Sequence, residues 1–139
     1  MQPKHLAWVL ALVCLPAANA LFAQTAQLSL VSTAMEYRGY RKTHDVIDAY
    51  LRNGQTDVYS LNLYRNYSYQ IVAVCDGDCG DIDLCLYDES GNEIDCDKGV
   101  DDIPVVEVTP KWSGRFKIWV RMYDCQVNPC RFKLAVYGK

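Results

Sequence analysis

The sequence predicts an all-β fold, a jelly-roll-like β-sandwich of about seven to eight short strands with an N-terminal helix packed on it. Three observations carry this. From Val58 onward apolar residues recur at a period of two in short runs, each closed by Gly, Asn, Pro or Ser. Upstream, Leu28, Val31 and Met35 fall at i, i+3 and i+7 with Ala34 alongside, a helical stripe. Six of the seven cysteines lie in the strand-bearing part, as in a small exported domain.

Residues 1–20 read as a secretory leader. Lys4 and His5 give a basic start, Leu6 to Leu15 is almost wholly apolar, and Ala18 and Ala20 suit a cut after Ala20. The apolar run of about ten residues is well short of the ~20 needed to span a bilayer as a helix. Cleavage leaves 119 residues, enough for one domain and no membrane span. The expected organisation is a leader over 1–20, a helical segment and linker over 21–51, and a disulfide-bridged sandwich over 52–139. Cys14 departs with the leader, and the even count that remains indicates a periplasmic or secreted protein, expected to be a monomer.

Charge is uneven along the chain. Residues 76–107 hold twelve acids and one base, whereas residues 111–139 hold seven bases and one acid. The whole chain is at −3, so there is no basic excess for a nucleic-acid role.

In order, residues 24–37 form the helix, stopped by Gly39. It is read as a strut laying its stripe on the domain; a partner-binding helix is the sharper alternative. In residues 40–56, Thr43 or Asp45 is placed to cap a short turn carrying Val46, Ile47, Tyr50 and Leu51, and Asn53-Gly54 to turn the chain. Tyr59, Leu61 and Leu63 then line one face of a strand, and Asn66 turns into a second over 67–74. The end of that second strand is apolar on both faces, as in a central strand. Ile82, Leu84 and Leu86 face inward on the next strand, Glu89 to Asn92 is a hairpin turn, and Glu93 to Asp97 returns. After an acidic loop come a strand over 105–109, a strand with Phe116, Ile118, Val120 and Met122 inward, and a last strand with Phe132, Leu134 and Val136 inward.

The cysteines pair locally. Cys125 and Cys130 bracket a four-residue loop, Cys75 and Cys79 bracket Asp76-Gly77-Asp78, and Cys85 and Cys96 are left to face one another across the hairpin. The last pair carries a conflict of parity. If Leu84, Leu86 and Ile94 all face the core, Cys96 faces in and Cys85 out, so one bulge near Gly91 is required.

The runs G-Q-T-D-V-Y-S-L-N-L, Y-Q-I-V-A-V-C-D, D-I-D-L-C-L-Y-D-E-S-G-N-E-I and W-S-G-R-F-K-I-W-V resemble the bacterial pre-peptidase C-terminal domain, over about residues 52–137. That family is a small β-sandwich appended to secreted peptidases and related to collagen-binding modules. The resemblance implies a non-catalytic domain, with calcium bound by some members and polymeric substrates by others; Asp81 and Asp83 match its Asp-x-Asp-Leu strand. Here the cysteine-rich loop is extra, no peptidase domain is attached, and residues 24–50 lack the acidic linker that supplies calcium ligands in the collagen-binding relatives.

Two constellations stand out. Asp76, Asp78, Asp81 and Asp83 crowd a glycine-bearing loop, with Asp97, Asp101 and Asp102 as neighbours through the fold, and hard carboxylate oxygens suit Ca2+. The plainer reading is a solvated acidic turn that guards a sheet edge. Lys117, Trp119, Arg121 and Tyr123, joined by Arg131, Lys133 and Tyr137, form a basic aromatic face for an extracellular or envelope polymer or protein. The competing reading, and the favoured one, puts Trp119 beneath the helix against Leu28 and Val31. Enzyme readings fare poorly: His44 is the one histidine beyond the leader, and the carboxylates have no apolar pocket to raise a pKa. The leading expectation is a non-enzymatic exported binding module with calcium rigidifying its acidic loop. A structural or inhibitory protein-interaction domain is second, and a hydrolase using the carboxylates third.

Overall fold

A computed structural model describes residues 17–139, with side chains from residue 23 onward; the expected leader lies outside the described residues except for its last four positions. The chain runs α1 (Ala17–Tyr37), β1 (Arg41–Lys42), β2 (Ile47–Leu51), β3 (Thr56–Leu63), β4 (Tyr69–Cys75), β5 (Cys79–Tyr87), β6 (Glu93–Asp97), β7 (Val105–Val108), β8 (Gly114–Cys125) and β9 (Cys130–Gly138). Among the described residues, no helix is long and apolar enough to cross a membrane.

The strands form two antiparallel sheets. The first has the order β1-β9-β4-β7 with β2 also on β9, and the second the order β3-β8-β5-β6. Both β1 and β2 lie along the same edge of β9, at its two ends, so they act as one interrupted strand. With that edge counted once, each sheet has four strands in jelly-roll order. Inward residues of both sheets, among them Leu63, Ile71, Ile82, Leu84, Phe116, Ile118, Phe132 and Leu134, make the core between them.

The helix covers the outer face of the first sheet. Leu28 and Met35 pack on Val72, Val74, Ala135 and Tyr137, with Val31 partly buried beside them. This accounts for the doubly apolar β4, every residue of which is buried. Polar contacts pin the helix: buried Gln24 donates from Nε2 to the Arg131 carbonyl at 3.0 Å, and Ser32 Oγ lies 2.8 Å from the Tyr137 hydroxyl. Gly39, with φ of +86°, ends it in the left-handed conformation that favours glycine.

Several expectations need correction. The stretch expected to form a helical turn in a linker is strand, and the sandwich begins at Arg41 rather than near residue 52. Ile47, Ala49 and Leu51 alternate inward against solvent-facing Asp48 and Tyr50, and the open edge of β9 supplies their partners. Trp119 does not lie beneath α1; it sits on β8 in the opposite sheet. The last two strands also do not share an outward face, because β8 and β9 belong to different sheets.

The three disulfides are Cys75–Cys79, Cys85–Cys96 and Cys125–Cys130. The expected bulge is present: Leu86 pairs with Asp95 and Tyr87 with Glu93, so Ile94 is the extra residue and Cys85 comes directly opposite Cys96. Three disulfides in a domain this small suit an oxidising extracellular or periplasmic environment.

On the side where β6 and β7 meet, carboxylates join the edges of the two sheets. Asp95 accepts a hydrogen bond from the Glu107 N–H at 2.8 Å, and Asp97 accepts one from the Val105 N–H at 2.9 Å. They occupy donors that would otherwise offer β7 as a pairing edge. Asp95→Ala is expected to lower stability by about 1.5–3 kcal/mol, the usual worth of a charge-assisted hydrogen bond. Urea denaturation measures this, and an unchanged midpoint would show that the edge does not need the contact.

Candidate functional site

The acidic region divides in two. Asp76 continues the β4–β9 ladder: its N–H donates to the Arg131 carbonyl at 3.0 Å, its Oδ2 accepts from the Arg131 N–H at 2.8 Å, and its Oδ1 accepts from the Asp78 N–H at 3.2 Å. Asp78 is exposed. These two carboxylates shape the loop clamped by Cys75–Cys79 rather than converge with Asp81 and Asp83.

Asp81 and Asp83 are both buried, each 4% exposed, and Oδ1 of each has no hydrogen-bond partner. Such orphaned buried acceptors are rare, because each forfeits its hydration. Burial raises the pKa of Asp81, and the charges of Asp101, Asp124 and Asp97 add to the rise against a backbone hydrogen bond from Asp101. Burial likewise raises Asp83, helped by Asp81 and opposed by Arg121 and Lys98. The acidic corner therefore consists of Asp81, Asp83, Asp97, Asp101 and Asp124.

Backbone geometry builds this corner. The Ile82 N–H donates to the Asp101 carbonyl at 3.1 Å, which draws the 98–104 loop onto β5. Asp97 and Asp101 turn that loop by accepting from the N–H groups of Gly99 and Ile103. Asp102 joins through its carbonyl, which accepts from the Cys75 N–H at 3.3 Å. Gly80 permits the approach of Asp124, since a Cβ there would lie 2.5 Å from Asp124 Oδ2. Asp124 stands in the basic third of the sequence, far from the other acids; the facing of Cys79 with Cys125, and of Asp81 with Asp124, is what brings it here.

These oxygens do not form a closed cage. Among the described residues, the only group whose ligand atoms all lie within 4.8 Å is Cys85, Glu93 and Cys96, and its two sulfurs are joined in a disulfide.

The second candidate is the outer face of the β3-β8-β5-β6 sheet. Val58, Trp119, Cys85 and Cys96 stand side by side across all four strands, an apolar row with the disulfide at one end. Lys117 and Arg121 flank Trp119 along β8, Lys98 approaches its ring at 5.9 Å, and Arg121 lies 4.9 Å over the exposed Tyr123. Val58 is 51% exposed, so the row opens to solvent. Lys133 and Tyr137 are on the other side of the molecule. Tyr137 is buried under α1, Lys133 reaches Thr25 Oγ1 at 3.4 Å, and Arg131 makes a two-pronged pair with Asp48 at 2.7 and 2.6 Å. No known protein family matches the chain, and no curated protein is similar enough to it to count as a relative.

Proposed function

We propose that the chain is a non-enzymatic, exported binding module of the kind the pre-peptidase C-terminal resemblance implies, released to the periplasm or beyond. Its ligand is an envelope or extracellular polymer held on the outer face of the β3-β8-β5-β6 sheet. One observation carries this reading: of the two outer sheet faces, one is covered by α1, and the other leaves Val58 exposed and Trp119 half-buried among Lys98, Lys117 and Arg121. An aromatic ring beside cations suits an anionic polymer, whose sugar or backbone stacks on the ring while its charges meet the bases. Strands bridged by Cys85–Cys96 supply a rigid support, which limits the ordering cost of binding.

Calcium belongs to the same reading. The unpartnered Oδ1 atoms of Asp81 and Asp83 fit a hard cation, and Asp97, Asp101 and Asp124 add their charges to the same corner. Asp76 and Asp78 do not fit, because both oxygens of Asp76 already accept from the backbone and Asp78 is exposed.

Trp119→Ala tests the face. It is expected to reduce retention on immobilised anionic polysaccharide at least tenfold while the far-UV spectrum and melting temperature stay near wild type. Loss of more than ~2 kcal/mol of stability would make Trp119 a packing residue instead, and undiminished retention would remove this face from the account.

A further inference from the structure

We propose that a second site, a tyrosine-lined cleft at the β3 edge, binds a neutral sugar unit. The cleft has a volume of about 700 Å³ and shares no residue with the Trp119 face, so it stands or falls separately from the polymer-binding reading.

It forms where the two sheets approach along their open edges. The chain between β1 and β2 leaves the first sheet, and His44 crosses to the second, donating from Nε2 to the Asn62 carbonyl at 3.1 Å. Nδ1 lies 2.9 Å from Thr43 Oγ1, which fixes the ring. Tyr69 is almost fully buried and accepts the Tyr64 N–H at 3.1 Å, so its own O–H remains to donate. The close approach of Gly138 holds that ring in place, since a Cβ there would lie 3.0 Å from Tyr69 Cε1. Tyr64 and Tyr67, 60% and 51% exposed, supply open aromatic surface, and the Tyr67 ring lies 6.1 Å from that of Tyr69 at an angle of 31°.

The lining selects a ligand class. Ser60 offers a hydroxyl, Asn62 a side-chain amide and Tyr69 its O–H, and among the described residues no Asp, Glu, Lys or Arg lines the cleft. An anion would find no cation there, and a purely apolar ligand would strand the polar groups. A pyranose satisfies both demands, with C–H faces that lie on tyrosine rings and hydroxyls that bond to side-chain amide and hydroxyl groups. The volume suits one or two sugar units.

The test titrates the isotope-labelled full chain with cellotriose, maltotriose and the trimer of N-acetylglucosamine, each to about 10 mM, where even a millimolar complex is largely formed. At least one is expected to give saturable shifts confined to residues 43–44, 60–62 and 64–69. Tyr67→Ala and Tyr64→Ala, both at exposed positions, are expected to keep the melting temperature and weaken binding about tenfold, equivalent to about 1.4 kcal/mol. Trp119→Ala is expected to bind as wild type. The proposal is overturned if none of the three sugars shifts these resonances, if the shifts map elsewhere, or if both tyrosine variants bind undiminished. It is equally overturned if a proline-rich peptide, the other ligand that tyrosine grooves accept, perturbs the cleft while the sugars do not.

Discussion

In calcium-free buffer at neutral pH, Asp83→Asn is expected to melt above the wild type. Asp83 is buried, its Oδ1 is unpartnered, and it lies beside Asp81 on the same strand. The native state thus holds a carboxylate where burial and a neighbouring charge both disfavour ionisation, and its pKa is raised from the ordinary 3.8. The sign follows by linkage. A carboxyl with a raised native pKa binds more protons in the folded than in the unfolded protein, so stability falls as pH rises from the ordinary carboxylate range through the native pKa. Asp81, raised for similar reasons, adds to the same slope.

Replacing Asp83 with Asn removes its share of that slope and gives the acidic corner an amide donor. Loss of the attraction to Arg121 and Lys98 offsets part of the gain. A net gain of about 1–2 kcal/mol is expected at pH 7, the scale of one unsatisfied buried acceptor, and none near pH 3. Millimolar calcium should reverse the order. It stabilises the wild type by mass action, by about 2.7 kcal/mol at a hundred times Kd, and leaves the variant nearly unmoved. Thermal melts in EDTA and in calcium across pH 3–8 measure both effects. A variant less stable than wild type in EDTA at pH 7 would show that the orphaned oxygens carry no penalty, and a wild type indifferent to calcium would remove the cation.

Tyr137→Ala is expected to cause the largest loss of stability, about 3–5 kcal/mol, as for other buried aromatic truncations. The ring is 1% exposed between β9 and α1, and its removal opens a cavity against Val72, Val74, Leu28 and Met35. Tyr137→Phe isolates the hydroxyl, whose contact with Ser32 should be worth about 1 kcal/mol. Urea denaturation separates the two variants. The contacts through Gln24, Leu28, Ser32 and Met35 lie beyond Ala20, so a cut there leaves them in place. A Tyr137→Ala protein with an unchanged midpoint would make the helix an accessory rather than part of the fold.

The pairing of Cys85 with Cys96 was legible because a hairpin is local: turn position and strand parity together require a bulge, and Ile94 supplies it. The short strands Arg41–Lys42 and Ile47–Leu51 were not, because Val46, Ile47, Tyr50 and Leu51 suit a helical turn as well as a strand. What decided was the open edge of β9, which is more than eighty residues distant from Ile47 in sequence. The acidic corner was half legible. Asp81 and Asp83 were found from their motif, whereas Asp124 joins them only because β8 pairs with β5.

By itself the sequence determined the all-β character, the helix with its stop at Gly39, the inward face of nearly every strand and the local disulfides. Each depends on residue periodicity or on neighbours within a few positions. Only the tertiary structure decided which sheet each strand joins. Strands β8 and β9 follow one another and both turn apolar residues inward, yet they face the shared core from opposite sides. Alternation records inside and outside but not which of two layers a strand occupies. For that reason Trp119 and Tyr137, alike in the sequence as outward aromatics among bases, are separated by the whole thickness of the sandwich, one half-buried on the uncovered face and one beneath the helix.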